Sequence, residues 1–455
     1  MPEYLPALIT FIVGILLMIC CSILSPSIHF KFGKIDFTMD SFWIGPFIAA
    51  IVVLGAQIIP FITAMEGLWS FSTLNPIGIL ILFFSMVYIS KFLDTTGFFQ
   101  LCASWALRKS GKSGKKLFFI IYAIVSVLTI FTSNDVVILT FTPFIHYFSQ
   151  AAGVSSKPFL FGEFFAANTW SMIFIISNPT NVVLGTGFGQ DFGKFVKYMV
   201  LPTFAGGLSN LLVLYLLFRK QINQEFEIDE EDLGDPMEHV QSKLDLFVGI
   251  FFMLGSIIIM ACSSIPGFNV EMWQIAGIMA VVLLIYNIVI DIKNRHLEGP
   301  SKLRRIFSTL PYAIIPFLVA LFILVNALSI KGLFTAIGGG IGKVTNKSEQ
   351  VAVAIFGVLS TFAANILNNI PMSVAFVPIL QETKNPPSLG SVYATVVGAN
   401  LGANLTPLGA LAGLMWLGIL KQEKINIGFK EFIKIGFIVT PVCLVVTLAF
   451  LMCLV

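Results

Sequence analysis

The stretch from Asn365 to Met415 reads NILNNIPMSVAFVPIL, then a short polar loop, then GANLGANLTPLGALAGLM. It places asparagine, threonine, proline and glycine between apolar segments that are long enough to cross a membrane. A bilayer interior tolerates a broken helix only where the freed backbone lines a cavity or is covered by protein. Transporters bind substrate and coupling ion at such breaks. The stretch therefore predicts a pair of discontinuous membrane helices of the transporter kind.

A second copy of this pattern lies upstream, in SNDVVILTFTPFI (Ser133 to Ile145) and SNPTNVVLGTG (Ser177 to Gly187). Several matches between the copies share one sequence offset, 235 residues, and a further match has a slightly smaller offset. At 235 the pairs are Gly97-Phe98-Phe99 with Gly332-Leu333-Phe334, Asn134 with Asn369, Phe141 with Phe376 and Pro143 with Pro378, and at the smaller offset Asn178-x-Thr180 pairs with Asn404-x-Thr406. Repeated matches at one offset predict an internal repeat.

Composition places the chain among membrane proteins with many spans. Of 455 residues, 57% are hydrophobic and 11% are charged, against about 25% charged in a soluble domain. A net charge of +3 gives no indication of nucleic-acid binding. The six cysteines lack the spacing of a zinc site, and no catalytic motif is present, so we expect no metal, no cofactor and no enzyme activity. Residues 5–24 lack a basic leader and are long enough to be a first span.

Hydropathy divides the chain into two similar halves. The predicted fold is an all-α polytopic membrane protein with two inverted-topology repeats, about ten crossings and two re-entrant hairpins. Each repeat has three spans, a hairpin, a broken span and a final span. The first three spans are expected near 5–24, 43–64 and 76–92. The expected boundaries are 1–218 for the first repeat (hairpin 117–148, broken span 159–187), 219–243 for an acidic cytoplasmic linker, and 244–455 for the second repeat (hairpin 351–380, broken span 391–420).

Lysine and arginine placement predicts the orientation. Five crossings per half is an odd number, so the two halves must have opposite orientation. If the loop at 108–116 is cytoplasmic, 21 basic residues fall on the inner side and six on the outer side, as the positive-inside rule requires. The chain is therefore expected to be a multi-pass plasma-membrane protein embedded in the lipid bilayer, with both termini outside.

The hairpin tips and broken spans would meet near the middle of the membrane. Their polar residues can replace the water around a small cation such as Na⁺, and half-helix N-termini can bind an anion or a polar neutral solute. The predicted substrate- and ion-binding residues are Ser133, Asn134, Asp135, Ser177, Asn178, Thr180, Asn181, Asn368, Asn369, Asn400, Asn404 and Thr406. The alternative is that these small polar residues only hold helices together.

Four further observations concern ionisable groups. Asp135 lies deep in an apolar segment and is either a proton or cation carrier or a helix cap. Glu163 is expected near the cytoplasmic start of its span, where it either snorkels to the interface or is a further candidate carrier. Asp94 is expected to pair with Lys91 at the inner interface. The four histidines fall in predicted loops.

At these motifs the chain resembles the arsenite efflux pumps of the ion transporter superfamily. The residues that carry the resemblance are KFLDTTGFF (91–99), SNDVVILTFTP (133–143), SNPTN (177–181), NNIPM (368–372) and GANLGANLTPLGALAGLMWLGIL (398–420). The resemblance implies a scaffold of outer spans that carries a mobile transport unit of hairpins and broken helices. It also implies proton-coupled export of arsenite or antimonite by alternating access, sometimes with a separate cytoplasmic ATPase. Transporters of this design are often homodimers.

This chain departs from that family's pattern at three positions. Asn168 and Asn400 stand where the family has acids, and Asn404 stands where it has a lysine. Both H⁺ and Na⁺ therefore remain open as coupling ions. A sodium/proton antiporter and a sodium-coupled carrier of dicarboxylates or citrate-like anions are the alternatives, although no basic residue is available near the tips to bind two carboxylates. An ion channel is a remote alternative, because the sequence shows neither rings of charged residues nor a carbonyl filter.

Overall fold

The structure is a computed structural model that describes residues 2–32, 35–70, 75–225, 235–265, 267–293, 301–384 and 387–455. The described chain is almost entirely helical, which confirms the predicted all-α class. Its first half contains α1 (Leu5–Leu24), β1 (Ser27–Phe32), β2 (Ile35–Asp40), α2 (Ile44–Gly55), α3 (Phe61–Ser70), α4 (Pro76–Thr95), α5 (Phe98–Ser110), α6 (Gly114–Phe131), α7 (Asn134–Ala151), α8 (Lys157–Trp170), α9 (Pro179–Gly187) and α10 (Phe192–Ile222).

The second half continues with ten more helices. They are α11 (Lys243–Cys262), α12 (Met272–Lys293), α13 (Lys302–Phe307), α14 (Ile314–Ile330), α15 (Leu333–Thr345), α16 (Glu349–Leu367), α17 (Asn369–Thr383), α18 (Leu389–Gly402), α19 (Leu411–Gln422) and α20 (Phe429–Met452). Among the described residues, eight helices are long and apolar enough to cross a membrane, and the bent pair α14–α15 would make nine. The chain is therefore a multi-pass membrane protein.

Two hairpins and two broken spans interrupt the long helices. The first hairpin is α6 and α7, which are separated only by Thr132 and Ser133, and the second is α16 and α17, which are separated by Asn368. We call residues 132–134 and 368–369 the hairpin tips. A 3₁₀ turn separates α8 from α9 (Ile175–Ser177), and another separates α18 from α19 (Pro407–Gly409). We call α6–α9 together with α16–α19 the transport unit.

Corresponding elements of the two halves begin and end at matching sequence positions. Adding 235 to the bounds of α5 gives those of α15, and the same offset takes the first residue of α7 to the first residue of α17. Adding 232 takes both bounds of α8 to those of α18 and takes the first 3₁₀ turn to the second. By this offset Asn168 corresponds to Asn400. The expected pairing of Asn178 with Asn404 is therefore wrong, because the counterpart of Asn178 is Ala410.

The broken spans are more deeply buried than several of the surrounding helices. Every residue of α18 after its first is buried, and so is every residue of α8 after Lys157. In α1, α11 and α12 only one stripe of residues is buried, and large apolar side chains are exposed on the rest of each helix. Exposed apolar side chains are what a helix presents to lipid. The two broken spans thus lie in the packed interior, whereas α6 and α16 of the transport unit also expose apolar side chains.

The structure corrects several expected boundaries. The expected span 43–64 is two helices, because the chain turns at residues 56–60, where Gln57 has a positive φ of 52° and Pro60 lacks a backbone N–H. The expected loop 25–42 contains an antiparallel hairpin, with Ser27 opposite Asp40 and Phe32 opposite Ile35. His146 lies in α7 and not in a loop, and His296 lies outside the described residues.

The segment between the halves is anchored at both of its ends. Helix α10 extends to Ile222, and residues 226–234 lie outside the described part of the chain. A 3₁₀ turn, Pro236–His239, packs against the start of α5. The backbone N–H of Gln241 donates to the carbonyl of Thr96 at 3.3 Å. The linker is therefore attached to the corner between α4 and α5, where no ordered contact was expected.

Candidate functional site

A chain of asparagine amides crosses the transport unit. The Nδ2 group of Asn134, at the first hairpin tip, donates to Oδ1 of Asn168 at 3.2 Å. Asn168 in turn donates from Nδ2 to Oδ1 of Asn404 at 3.1 Å and to the carbonyl of Phe164 at 3.1 Å. The three asparagines are buried. The first tip and both broken spans are thus joined by direct side-chain hydrogen bonds.

Asn400 is the centre of a second set of bonds. Its Oδ1 accepts from the hydroxyl of Ser171 and from Nδ2 of Asn178, both at 2.9 Å. Its Nδ2 donates to Oδ1 of Asn181 at 2.7 Å and to the carbonyl of Val396 at 2.8 Å. Every hydrogen-bonding position of this amide is therefore in use, which fixes its orientation.

Local capping explains why the first broken span folds as it does. Oδ1 of Asn178 accepts from the backbone N–H of Thr180 at 3.1 Å and from its hydroxyl at 3.0 Å, so Asn178 is the N-cap of α9. Nδ2 of Asn181 donates to the carbonyls of Ser171 at 2.7 Å and Phe174 at 3.0 Å. These carbonyls follow the end of α8, where the helix no longer supplies partners. The asparagines thus satisfy backbone groups that the break leaves free.

The second broken span is bound to the second hairpin. The hydroxyl of Thr406 donates to Oδ1 of Asn365 at 2.7 Å, and Nδ2 of Asn365 donates to the carbonyl of Gly402 at 2.9 Å. Asn368 has φ 73° and ψ 151°, a conformation that costs a non-glycine residue about 1–3 kcal/mol. Its Nδ2 donates to the carbonyl of Leu408 at 3.1 Å, which holds this tip against the break.

Three buried oxygens at the tips make no hydrogen bond within the described part of the protein. They are Oγ of Ser133, Oδ1 of Asn134 and Oδ1 of Asn369. The two amide oxygens occupy equivalent positions of the two halves, and a buried unpaired acceptor is costly. Amide and hydroxyl oxygens are also ligands for hard cations. These atoms are therefore the places where an ion or a solute would gain the most from binding.

The ionisable groups near the first tip are Asp135, Lys91 and Asp94. Asp135 lies in the first turn of α7, but Ser133 is the N-cap, and no hydrogen bond of the Asp135 carboxylate is found among the described residues. Lys91 interacts electrostatically with Asp135. Its ammonium lies 3.5 Å from the carboxylate of Asp94, which confirms the expected pairing. Asp135 is therefore a partly accessible carboxylate beside the amide chain and not a helix cap.

The structure thus brings most of the predicted residues into three connected groups. The first group contains Asn134 and Asn404, and the second contains Asn178, Asn181 and Asn400. In the third, Thr406 and Asn368 join the second broken span to the second hairpin. Ser177 stands apart, because its hydroxyl donates to the carbonyl of Ile130 at 2.6 Å. Sequence reasoning missed Ser171, Asn365 and the bonding role of Asn168 as site residues. The spacing of Asn168 and Ser171, three apart on one helix face, was the available signal.

A cavity of about 310 Å³ opens beside the C-terminal end of α9. Its lining includes Asn75, Gln190, Asp191, Glu271 and Trp273, and none of the predicted site residues. Burial opposes ionisation of Asp191, but hydrogen bonds from Lys194 and Ser264 and the charge of Lys194 hold the pKa of that carboxyl below its ordinary value. The Asp191 carboxylate is paired with Lys194 at 3.0 Å, and the amide network is separate from this cavity.

The described helices define a polytopic membrane protein with two broken-helix pairs. A family model described as citrate transporter (CitMHS) matches residues 3–391. The chain therefore belongs to the citrate transporter family.

Individual relatives show the same class. The arsenical pump membrane protein of Escherichia coli (strain K12) is 28% identical over 372 residues, which cover 81% of this chain and 84% of that protein. A putative arsenical pump membrane protein of Bacillus subtilis (strain 168) is 26% identical over 376 residues, covering 78% of this chain and 83% of that protein. These similarities confirm the resemblance noted from the motifs.

One solved structure has the same overall fold. The YdaH transporter of Alcanivorax borkumensis aligns with a TM-score of 0.59 over 99% of this chain and 98% of that chain, at 13% identity. The crystal structure of that transporter is described as having an unusual topology. At this identity the likeness concerns the fold alone. The chain is accordingly a membrane transporter of this fold embedded in the lipid bilayer.

Proposed function

We propose that the chain is a secondary active transporter that exports a small inorganic solute of the arsenite or antimonite type in exchange for protons. The observation that carries this proposal is the buried amide network, whose own side chains are neutral hydrogen-bond donors and acceptors. The basic side chain near the first tip, Lys91, is paired with Asp94 at 3.5 Å. Such a site suits a small solute that bears hydroxyl groups and little charge. The similarity to arsenical pump proteins supports the same substrate class.

Transport through this site requires alternating access. Asn400 has none of its surface exposed, and Asn134, Asn369 and Asn404 have 3% or less. A solute therefore reaches the tips only when the transport unit moves relative to the outer helices or when a hairpin opens. The unpaired oxygens of Asn134 and Asn369 would gain partners in the loaded state. Binding of a solute is thus favoured, because it supplies hydrogen-bond partners that the empty state lacks.

A citrate-like or dicarboxylate anion coupled to sodium is the second candidate. The matching family model favours it. The amide and hydroxyl oxygens at the two tips suit Na⁺, whose charge would offset part of an anion's charge. Against it, the groups that would have to bind two or three carboxylates are neutral amides. We therefore rank it below the arsenite-type solute.

The two halves, 1–218 and 244–455, are proposed to be inverted repeats in the plasma membrane with both termini outside. The matched element bounds and the 21 to six distribution of basic residues support this arrangement. The linker 219–243 would then lie in the cytoplasm. A homodimer and a cytoplasmic ATPase subunit remain predictions.

Uptake into everted membrane vesicles tests the substrate and the coupling ion together. Vesicles that contain the full chain are given radiolabelled arsenite under an imposed proton gradient, and then under a sodium gradient. Radiolabelled citrate is measured in parallel. We expect proton-driven accumulation of arsenite and none of citrate.

The control is Asn223→Ala, an exposed asparagine just after α10 that is remote from the network. It should accumulate arsenite as the parent does. Sodium-driven citrate uptake without arsenite uptake would replace the first candidate with the second. Absence of both activities in a folded protein would refute both substrate assignments.

A further inference from the structure

A carboxyl group that the proposed site does not include lies inside the transport unit. Glu163, on α8, has none of its surface exposed. The expectation that it snorkels to the interface is therefore wrong, because helices pack on every side of α8. Within the described part of the chain, no lysine, arginine or histidine lies within 4 Å of its oxygens. An ionised carboxylate without a cation is very unfavourable in such surroundings.

The hydrogen bonds around Glu163 fit a protonated carboxyl group. The hydroxyl of Thr142 lies 3.0 and 3.1 Å from the two oxygens of Glu163, and 2.7 Å from the carbonyl of Ile138. A threonine hydroxyl has one proton and can donate it once. With that proton on the closer carbonyl of Ile138, the contact with Glu163 is satisfied only if Glu163 donates. The geometry is thus compatible with a carboxylic acid whose O–H bonds to Thr142, and the absence of a neighbouring cation among the described residues favours that form.

Thr142 shares one face of α7 with two ionisable residues, and we call the three residues the α7 stripe. Asp135 precedes it by seven residues and His146 follows it by four, so the three lie on one face of the helix. Their spacing along the axis is about 10 Å and about 6 Å. Nε2 of His146 lies 3.9 Å from the carboxylate of Glu423, whose side chain is 42% exposed. The stripe therefore runs from an accessible helix end, past Glu163, to the first hairpin tip.

Within the described ranges, no ionisable group outside this stripe is bonded to Glu163. Helix α8 packs against α6, α7, α10 and α18, and aromatic side chains of α20 also contact it. The buried or half-buried titratable side chains on the four packed helices are Tyr122, Asp135, His146, Tyr198, Tyr215 and Tyr393. Lys157, on α8 itself, is paired with Glu431 of α20 at 3.0 Å. Among the described residues, none of these groups bonds to Glu163.

The fold itself does not require an acid at this position. The counterpart of Glu163 in the second half is Thr395, on α18, and the counterpart of Thr142 is Val377, on α17. The same hairpin and broken span therefore form with an uncharged, shorter side chain in place of the carboxyl group. A buried acid that only one of two equivalent positions carries is more readily explained by transport than by folding.

We propose that Glu163 is a proton-binding site of the transport unit, loaded and unloaded along the α7 stripe by way of His146 and Thr142. In loading, a proton from water reaches a carboxylate oxygen of Glu163, an O–H bond forms there, and the negative charge is lost. Unloading reverses this step toward the opposite side of the membrane. The inference rests on the proposed proton coupling and assigns it to a residue outside the amide network.

The first measurement does not depend on any substrate. The full-length protein is reconstituted in liposomes, and infrared difference spectra are recorded while pH is changed. We expect a carboxylic-acid carbonyl band that is lost in Glu163→Gln and retained in the control Glu431→Gln. The glutamine variant keeps a donor toward Thr142, so we expect it to fold. The second measurement is the pH dependence of arsenite accumulation, which we expect Glu163→Gln to abolish while downhill arsenite flux continues.

Each outcome decides the inference. Identical infrared spectra for Glu163→Gln and the parent would overturn it, whatever the substrate is. A lost band combined with an unchanged pH dependence of flux would also overturn it, because Glu163 would then be a permanently neutral acid. A lost band in a protein that does not carry arsenite would support the proton site and refute only the proposed substrate. Thr142→Val should weaken the pH dependence, and Thr142→Ser should restore it.

Discussion

Asn400 shows how one buried side chain can hold two broken helices together. Its truncation to alanine would leave Nδ2 of Asn178 and Oδ1 of Asn181 without partners. Each orphaned buried group costs about 1–3 kcal/mol. We therefore expect Asn400→Ala to lower the free energy of unfolding by roughly 2 kcal/mol or more, measured by denaturation in detergent. Asn223→Ala, which is exposed, should change it by less than about 0.5 kcal/mol.

Asn369 is the opposite case, because no hydrogen bond of its side chain is found among the described residues. Asn369→Ala should therefore leave the unfolding transition nearly unchanged and abolish driven transport, which the vesicle assay measures. Asn134→Ala should also abolish transport, with a small loss of stability from its bond to Asn168. Full transport by both variants would refute the role of the tips.

The sequence predicted the membership of this network better than its connections. Asparagines in apolar segments are conspicuous, so Asn134, Asn178 and Asn400 could be selected from composition and position alone. Ser171 was missed because serine is common in membrane helices, and only its spacing of three residues from Asn168 indicated a shared face. The burial of Glu163 was not predicted, because hydropathy indicates where a residue lies along a span but not how many helices surround it.

At the scale of elements, the expected span 5–24 has the bounds of α1, and the expected breaks agree with the structure to within a few residues. Proline and asparagine in apolar runs indicated both hairpins and both broken spans to within a few residues. The helices α5 and α15 were not predicted, because helices of 13 residues are too short to register as spans. The contact between the linker and α5 could not be predicted for a different reason, because it joins segments that are far apart in the sequence.

The glycines that begin α5 and α15 provide a matched test of that contact. Gly97 and Gly332 are equivalent residues with φ values of 87° and 78°. A Cβ on Gly97 would collide with the carbonyl of His239, whereas a Cβ on Gly332 would meet no atom of the described residues within 4 Å. Alanine in this left-handed conformation costs about 1–2 kcal/mol at either position.

Gly97→Ala should therefore be the more destabilising of the two substitutions. It should also displace the turn at Pro236–His239, which limited proteolysis would detect as faster cleavage in the linker. Gly332→Ala should lower the unfolding temperature slightly and leave linker cleavage unchanged. Equal cleavage of both variants would show that the linker does not depend on this contact.

At the scale of the whole molecule, hydropathy and charge were sufficient to predict the class of fold. An apolar chain with few charges and repeated breaks has few arrangements that satisfy its backbone in lipid. Contacts within the protein do not reveal which face of the membrane is cytoplasmic. The inverted orientation of the two halves in the membrane therefore stays a prediction. An independent chemical probe is needed for it.

Arg108 and Lys343 are suited to this test, because they lie at equivalent positions near the ends of α5 and α15 and both are exposed. In inverted repeats, equivalent residues face opposite sides of the membrane. We expect Arg108→Cys, in a variant without the six native cysteines, to react with an impermeant maleimide only in everted vesicles. Lys343→Cys should react only in intact cells. Reaction of both cysteines from one side would mean that the two halves are parallel. The hairpins would then enter the membrane from the same face, and their tips could not meet at the middle of the membrane.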